Sequence, residues 1–475
     1  MANRHPARSA RTRESGNPHN PGAVLQTWPV QSETAALRTE KKTVLIFAAH
    51  NVFGAGQNPA PNQSFGGNML STQTKRTTCI GDHLFIVEGA KHWALYDLKE
   101  ETLISIDLDS GELLWALAQE ASPSEEKLVF LTKHAEAIME LAEQSGIADR
   151  LFLPDTSSAE AIPLLEYLWL EVTDQCNHKC IHCYGDFCIR LKNFMKLEVA
   201  KRILSQARAM GCQWVQFVGG EPFMHRQLWE MIEYAVELGF PDIEIFTNLT
   251  LLKEEDINRI KAYNIHIATT LLGHNAEVHD ACTQIPGSFN RWYRNIKKIQ
   301  ALGIDFRIGV VRMQQNENDM EEIEAFLRRE DLLVADEEFE PDDVRPTGRG
   351  CNNAVEPRAP LQYDFFFTVT PQFFHQARKS NPCWRGEMAV SAEGKVFPCV
   401  FSRQTTFGDA NQDGITPAVQ TLQQQCWVIT LDNVDRCRDC EYRYACMDCR
   451  ELSISSGHGL HGRQPRCQYD PYSDE

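Results

Sequence analysis

The sequence predicts an α/β fold, a parallel sheet built from repeated strand-helix units, followed by a loop-rich region stapled by cysteine-bound metal clusters. Three observations carry this. Apolar runs alternate with amphipathic helices from Pro163 to about residue 345. Gly211, Gly239 and Gly303 punctuate the passage from helix to strand in the manner of left-handed C-caps. Cysteines are skewed along the chain: Cys79 alone precedes Cys176, whereas eight of the sixteen lie from Cys383 onward.

The elements follow in order. Residues 1–42 are rich in Arg, Ser, Pro and Asn and poor in acids, the composition of a disordered leader. From Cys79, "DHLFIVEGAKHWALYDLKEETLISIDL" alternates like short strands. "SGELLWALAQE" and "SEEKLVFLTKHAEAIMELAEQSG" then read as helices that open on serine caps, the second closing at Gly146. Strands followed by helices over 79–150 suit a small winged-helix-like binding module. "LLEYLWLEVT" is a buried strand leading into the first cysteine loop. Three helix-glycine-strand units come next, ending in "CQWVQFVGG", "DIEIFTN" and "DFRIGVV", with "NIHIATTLLG" as a further strand. In the second helix Leu228, Met231, Ile232, Ala235 and Val236 form one apolar stripe to lay on a sheet. Such alternation implies parallel strands with right-handed crossovers and an open or closed barrel, its site at the C-terminal strand ends. From about 346 the chain is poor in helical periodicity, and loops this long need a staple.

With 47 basic and 65 acidic side chains the net charge is −18, which argues against nonspecific nucleic-acid binding or an anionic membrane surface. No run of 18 apolar residues is present, so no membrane span is expected. Sixteen cysteines without a secretory signal point to a reducing, cytoplasmic compartment and to metal ligation. Cys188, Cys212 and Cys282 read as small buried hydrophobes.

Cys176, Cys180 and Cys183 stand in "TDQCNHKCIHCYGDF" with no fourth ligand at metal spacing. Zinc sites and ordinary cubane clusters take four ligands, so three thiolates leave one iron open to an exogenous chelator. This spacing resembles the radical S-adenosylmethionine (SAM) superfamily, and "GGEP" at the end of the next strand, Gly219, Gly220, Glu221 and Pro222, resembles the segment that binds the methionine amino group there. The resemblance implies a partial (β/α)6 barrel over 163–345. It also implies a [4Fe-4S] cluster on the three cysteines, His182 against the adenine, and an external one-electron reductant. The chemistry implied is cleavage of SAM to a 5′-deoxyadenosyl radical that abstracts hydrogen. "TNLT" (Thr247 to Thr250) and "TTLLG" (Thr269 to Gly273) are candidate pocket walls.

Cys383, Cys399, Cys437, Cys440, Cys446, Cys449 and Cys467 follow. Alone, Cys437 to Cys449 suits a zinc knuckle. With the preceding Gly394-x4-Cys399 and the trailing cysteine, 346–475 resembles the SPASM extension, whose pattern implies Cys383, Cys399 and Cys449 on one auxiliary [4Fe-4S] cluster and Cys437, Cys440, Cys446 and Cys467 on another, three clusters in all. Here only Met447 and Asp448 separate Cys446 from Cys449, one residue fewer than the family spacing. Cys351 and Cys426 are candidates for the missing fourth ligand of the first auxiliary cluster. Residues 79–150 resemble the PqqD-like element that captures leader peptides by strand addition. The resemblance therefore implies a peptide maturase that crosslinks a ribosomally made precursor through a thioether or carbon-carbon bond. The alternatives are a sulfatase-type maturase forming formylglycine and a non-catalytic iron-sulfur or zinc scaffold.

Overall fold

The computed structural model describes residues 75–119, 142–143, 147, 150–151, 154–158, 164–334, 338–352 and 369–473. The expected leader over 1–42 lies outside them, as does the second N-terminal helix except for residues 142 and 143.

The chain opens with an antiparallel meander, β1 (Thr77–Gly81), β2 (Leu84–Glu88), β3 (Trp93–Asp97) and β4 (Thr102–Ile106), paired in sequence order. Strand side chains alternate between faces, and here both faces are apolar. Leu84, Ile86, Trp93 and Leu95 pack against Leu113 and Leu114 of helix α1 (Leu108–Gln119). Phe85, Val87, Ala94 and Tyr96 face the other way, onto Phe374, Tyr442 and Tyr444 of the C-terminal region. Helix α1 begins before the expected Ser110 cap. The Asp107 carboxylate accepts from Ser110 N–H at 2.8 Å, so the aspartate takes the capping role.

The second sheet contains β5 (Tyr167–Thr173), β6 (Trp214–Gly219), β7 (Asp242–Phe246), β8 (His266–Leu271), β9 (Phe306–Arg312) and β10 (Asp342–Asp343), all parallel and adjacent in that order. Helices α2 (Leu197–Ala209), α3 (Leu228–Glu237), α4 (Glu254–Ala262), α5 (Ala276–Thr283), α6 (Ser288–Ala301) and α7 (Met320–Arg329) fill the crossovers. This is a (β/α)6 open barrel. Leu228, Met231, Ile232 and Ala235 of α3 are buried as the apolar stripe requires, each large side chain contributing about 1.5–3 kcal/mol.

The sheet does not stop at residue 345. β11 (Glu387–Val390) pairs in parallel with β5, setting Met388 opposite Leu168, and β12 (Val396–Phe397) returns antiparallel at the edge. The C-terminal region is therefore welded to the strand that carries the first cysteine loop. It also holds short helices, α8 (Pro371–Ala377), α9 (Ala410–Asp413), α10 (Thr416–Leu422) and α11 (Arg450–Ser455). Among the described residues no helix is long and apolar enough to cross a membrane.

Candidate active site

A cavity of about 570 Å³ opens at the C-terminal ends of the barrel strands and is lined by Cys176, Cys180, His182, Cys183, Gly219 and Gly220. The loop after β5 brings the three thiols there. Cys176 N donates to Cys188 O at 3.2 Å and Cys183 N to Cys180 O at 3.3 Å. Two amides point at sulfur, His178 N on Cys176 Sγ at 3.4 Å and Phe187 N on Cys183 Sγ at 3.3 Å. The loop also leans on α5, where Lys179 N meets Thr283 O and Ile181 N meets Cys282 O. Burial pushes the Cys176 thiol up to about 12 and raises Cys180 and Cys183 as well. Such thiols become thiolates when a cation displaces the proton, which is the behaviour of metal ligands.

Backbone contact fixes the glycine segment against this loop. Gly220 N donates to Thr173 O at 2.7 Å and Glu221 N to Gln175 O at 2.9 Å. A Cβ on Gly219, whose φ is +131°, would lie 2.2 Å from Thr173 O, and one on Gly220 would lie 2.2 Å from Gln175 O. Glu221 and Pro222 are buried behind the cavity wall. The Glu221 carboxylate accepts from Thr247 Oγ1 at 2.8 Å, Asn248 N at 2.9 Å and Phe223 N at 3.1 Å, tying the end of β6 to the end of β7. Thr247 and Asn248 reach the cavity, as do Thr270 and Leu272 after them. Thr269 turns outward to accept from Trp292 Nε1 at 3.1 Å.

Three histidines stand on this wall. His182 is half-buried and its Nδ1 is enclosed without a hydrogen-bond partner. Burial holds it neutral, with its pKa lowered to about 4. His178 and His279, also lowered by burial to about 4 and about 3, complete the group. The sequence reading missed both. His178 was visible inside the cysteine motif, but nothing in the sequence around His279 marks it.

The C-terminal cysteines gather in two sets. Cys437, Cys440, Cys446 and Cys467 line one small pocket with Arg436, Arg443 and Arg463. Cys449 is hydrogen-bonded to Cys383 and electrostatically coupled to Cys399. The contact with Cys383, aided by Arg345 Nη1 at 3.9 Å from the Cys449 sulfur, lowers the Cys449 pKa against the effect of burial. Cys426 is buried in the main apolar core, and Cys351 is exposed. All sixteen cysteines are free of disulfides. Among the described residues no three His, Cys, Asp or Glu side chains converge on a single-ion site. Cys176, Cys180 and Cys183 line one cavity and the Cys437 set another, an arrangement that fits multi-iron clusters, and the enclosed His182 nitrogen gives a heterocyclic ligand a partner.

Comparison with known proteins agrees. Residues 170–327 match the radical SAM superfamily. The chain is 27% identical over 290 residues to the antilisterial bacteriocin subtilosin biosynthesis protein AlbA of Bacillus subtilis, covering 57% of this chain and 64% of that protein's length. It is 24% identical over 356 residues to an AdoMet-dependent heme synthase of Methanosarcina barkeri, covering 63% of this chain and 95% of that one. Among solved structures, Streptococcus suis SuiB bound to precursor peptide SuiA is matched with a TM-score of 0.49, 15% identity, and coverage of 82% of this chain and 99% of that one. This chain therefore carries a radical SAM domain over residues 170–327, followed by a cysteine-rich C-terminal region whose spacing fits the SPASM pattern.

Proposed function

We propose that this enzyme matures a ribosomally made precursor peptide, installing a thioether or carbon-carbon crosslink. The observation that carries the reading is the cavity itself. The same cavity is lined by Cys176, Cys180 and Cys183 and by Val400 and Phe401, next to Cys399, and Arg345, which contacts Cys449. A substrate in it would have both a radical source and an electron acceptor within reach. The similarity to a bacteriocin biosynthesis protein supports a peptide as that substrate.

In this reading Cys176, Cys180 and Cys183 hold the first [4Fe-4S] cluster, and Gly219, Gly220 and His182 contact SAM. Glu221 and Pro222 set the wall from behind. With SAM and the cluster bound, and an external one-electron donor, the site would supply radical chemistry able to take hydrogen from an unactivated carbon. Tyr184, Phe187 and Phe401 shield that space from water. Cys383, Cys399 and Cys449 hold one auxiliary cluster, and Cys437, Cys440, Cys446 and Cys467 the other. Cys351 or Cys426 supplies the fourth ligand of the former, or the substrate does. The antiparallel sheet of residues 77–106 is the leader reader within the module assigned to 79–150. Among the described residues no strand pairs with the outer edge of β4, which suits strand addition and carries Ile104, 43% exposed. A reducing cytoplasmic compartment suits sixteen cysteines without a disulfide among them.

The test is anaerobic incubation with SAM, reductant and synthetic precursor peptides, read by mass spectrometry. Loss of two hydrogen atoms per crosslink is expected. Conversion of Cys or Ser to formylglycine in a short leaderless peptide would favour the sulfatase-type alternative, and turnover of a tetrapyrrole without any peptide change would overturn both.

A further inference from the structure

We propose that Gly348, Arg349 and Gly350 form a strap that holds the first cysteine loop closed, and that Arg349 is a positioning residue that raises the reduction potential of the cluster in that loop. The inference rests on the reading that Cys176, Cys180 and Cys183 bind a cluster. The strap lies beyond the residues that match the superfamily, and the sequence drew attention to it only through Cys351. Yet Cys351 is exposed, and its neighbours make the contacts.

Arg349 spans the loop. Its backbone N–H donates to Cys183 O at 3.0 Å. Its Nε donates to Cys180 O at 2.7 Å and its Nη2 to Phe187 O at 2.8 Å, while Nη1 pairs with the Asp186 carboxylate. One side chain thus ties together residues 180 to 187, the stretch that must keep two sulfurs in register. Gly348 makes the approach possible. Its φ is +54°, and a Cβ there would lie 2.4 Å from Cys183 O and 2.5 Å from Tyr184 O. Gly350 closes the turn behind it, donating to Thr347 O at 3.0 Å.

The guanidinium has a second effect. It lines the same cavity as the three thiols, with its Nε 2.7 Å from Cys180 O, so its positive charge is fixed beside them. A cluster carrying three thiolates becomes more negative on reduction, so a fixed cation beside it stabilises the reduced state and raises the potential. Asp186, with its side chain 70% exposed, offsets part of that charge. The two residues should therefore act with opposite signs, an outcome that mere propping of the loop would not give.

The experiment is a redox titration of the reconstituted full chain, followed by electron paramagnetic resonance. The first cluster's signal is the one absent from a Cys176→Ala/Cys180→Ala/Cys183→Ala variant. Arg349→Gln should shift its midpoint negative, Arg349→Lys should restore it toward the wild-type value, and Asp186→Asn should shift it positive. Unchanged midpoints in loaded Arg349→Gln and Asp186→Asn would overturn the proposal. If Arg349→Gln takes up no cluster, Asp186→Asn decides alone, since it leaves the bonds from Arg349 to the backbone in place: a positive shift sustains the proposal and no shift overturns it. If the triple variant keeps every signal of the wild type, the cluster assignment itself is wrong and the inference falls with it. That outcome is recognisable before any Arg349 variant is measured.

Discussion

Glu221 concentrates what single residues do in this site. It is fully buried, and burial raises its carboxyl from 4.5 to about 7 against donors on Asn248, Thr247 and Phe223. A raised folded value means the folded protein binds the proton more tightly than the unfolded chain. Its contribution to stability is full below about pH 4.5 and is lost as pH rises through 7. Urea unfolding of the metal-free protein should lose about 3 kcal/mol across that window from this group, and Glu221→Gln should flatten the profile. Identical pH slopes in both proteins would rule out its protonation. The sequence marked Glu221 through its motif, but it could not show that the carboxylate braces two strand ends from behind the cavity wall. Likewise His279 was illegible, because a histidine on a short helix gains meaning only when α5 is laid on the cysteine loop.

At the scale of elements, strands β5 to β9 were legible almost to their ends, since each is a short apolar run ending near a polar turn, and β6, β7 and β9 also follow a glycine. Helices α4, α5 and α7 were not read, and β11 and β12 lie in a region taken as loops. Helix α4, "EEDINRIKA", buries only Asp256, Ile257 and Ile260, too sparse a stripe to announce itself. The β5–β11 pairing joins residues some 220 positions apart, and local pattern carries no register over that distance. Two predictions belong here. A Cβ on Gly220 would meet Gln175 O at 2.2 Å, next to Cys176, so Gly220→Ala should displace the loop and lose about a third of the bound iron, measured by iron assay. Arg443 is wholly buried, pairing with Asp432 and donating to Glu88 O at 2.6 Å and Cys440 O at 2.9 Å. Removing it takes one partner from the part-buried Asp432, which keeps the Tyr444 hydroxyl, and unpins β2, so Arg443→Met should cost about 1–3 kcal/mol. Hydrogen exchange should rise first in residues 77–106, and a uniform rise would argue against this local role.

At the scale of the whole molecule the N-terminal sheet is part of the architecture and not an appendage. Its second face is buried against Phe374, Tyr442 and Tyr444, so excising it would expose that core. A point change is the sounder probe: Ile104→Glu on the open edge should weaken leader-peptide binding about tenfold or more while SAM cleavage without peptide persists, as titration calorimetry and chromatography can check. The overall plan was legible because cysteine spacing is local and chemically specific. What joins the parts was not, since it consists of pairs with one buried member, such as Arg443 with Asp432 and Arg403 with Glu171, that form only on folding. The most direct measurement combines the two ends of the reaction: 5′-deoxyadenosine released and hydrogen lost from the precursor peptide, followed together under anaerobic reduction. Above the release seen without peptide, one 5′-deoxyadenosine should appear with wild-type protein for each crosslink, that is for every two hydrogen atoms lost, and both should vanish in the Cys176→Ala/Cys180→Ala/Cys183→Ala variant. Continued 5′-deoxyadenosine release by that variant, or its release by the wild type with every candidate peptide left unchanged, would contradict the assignment of this enzyme as a radical peptide maturase.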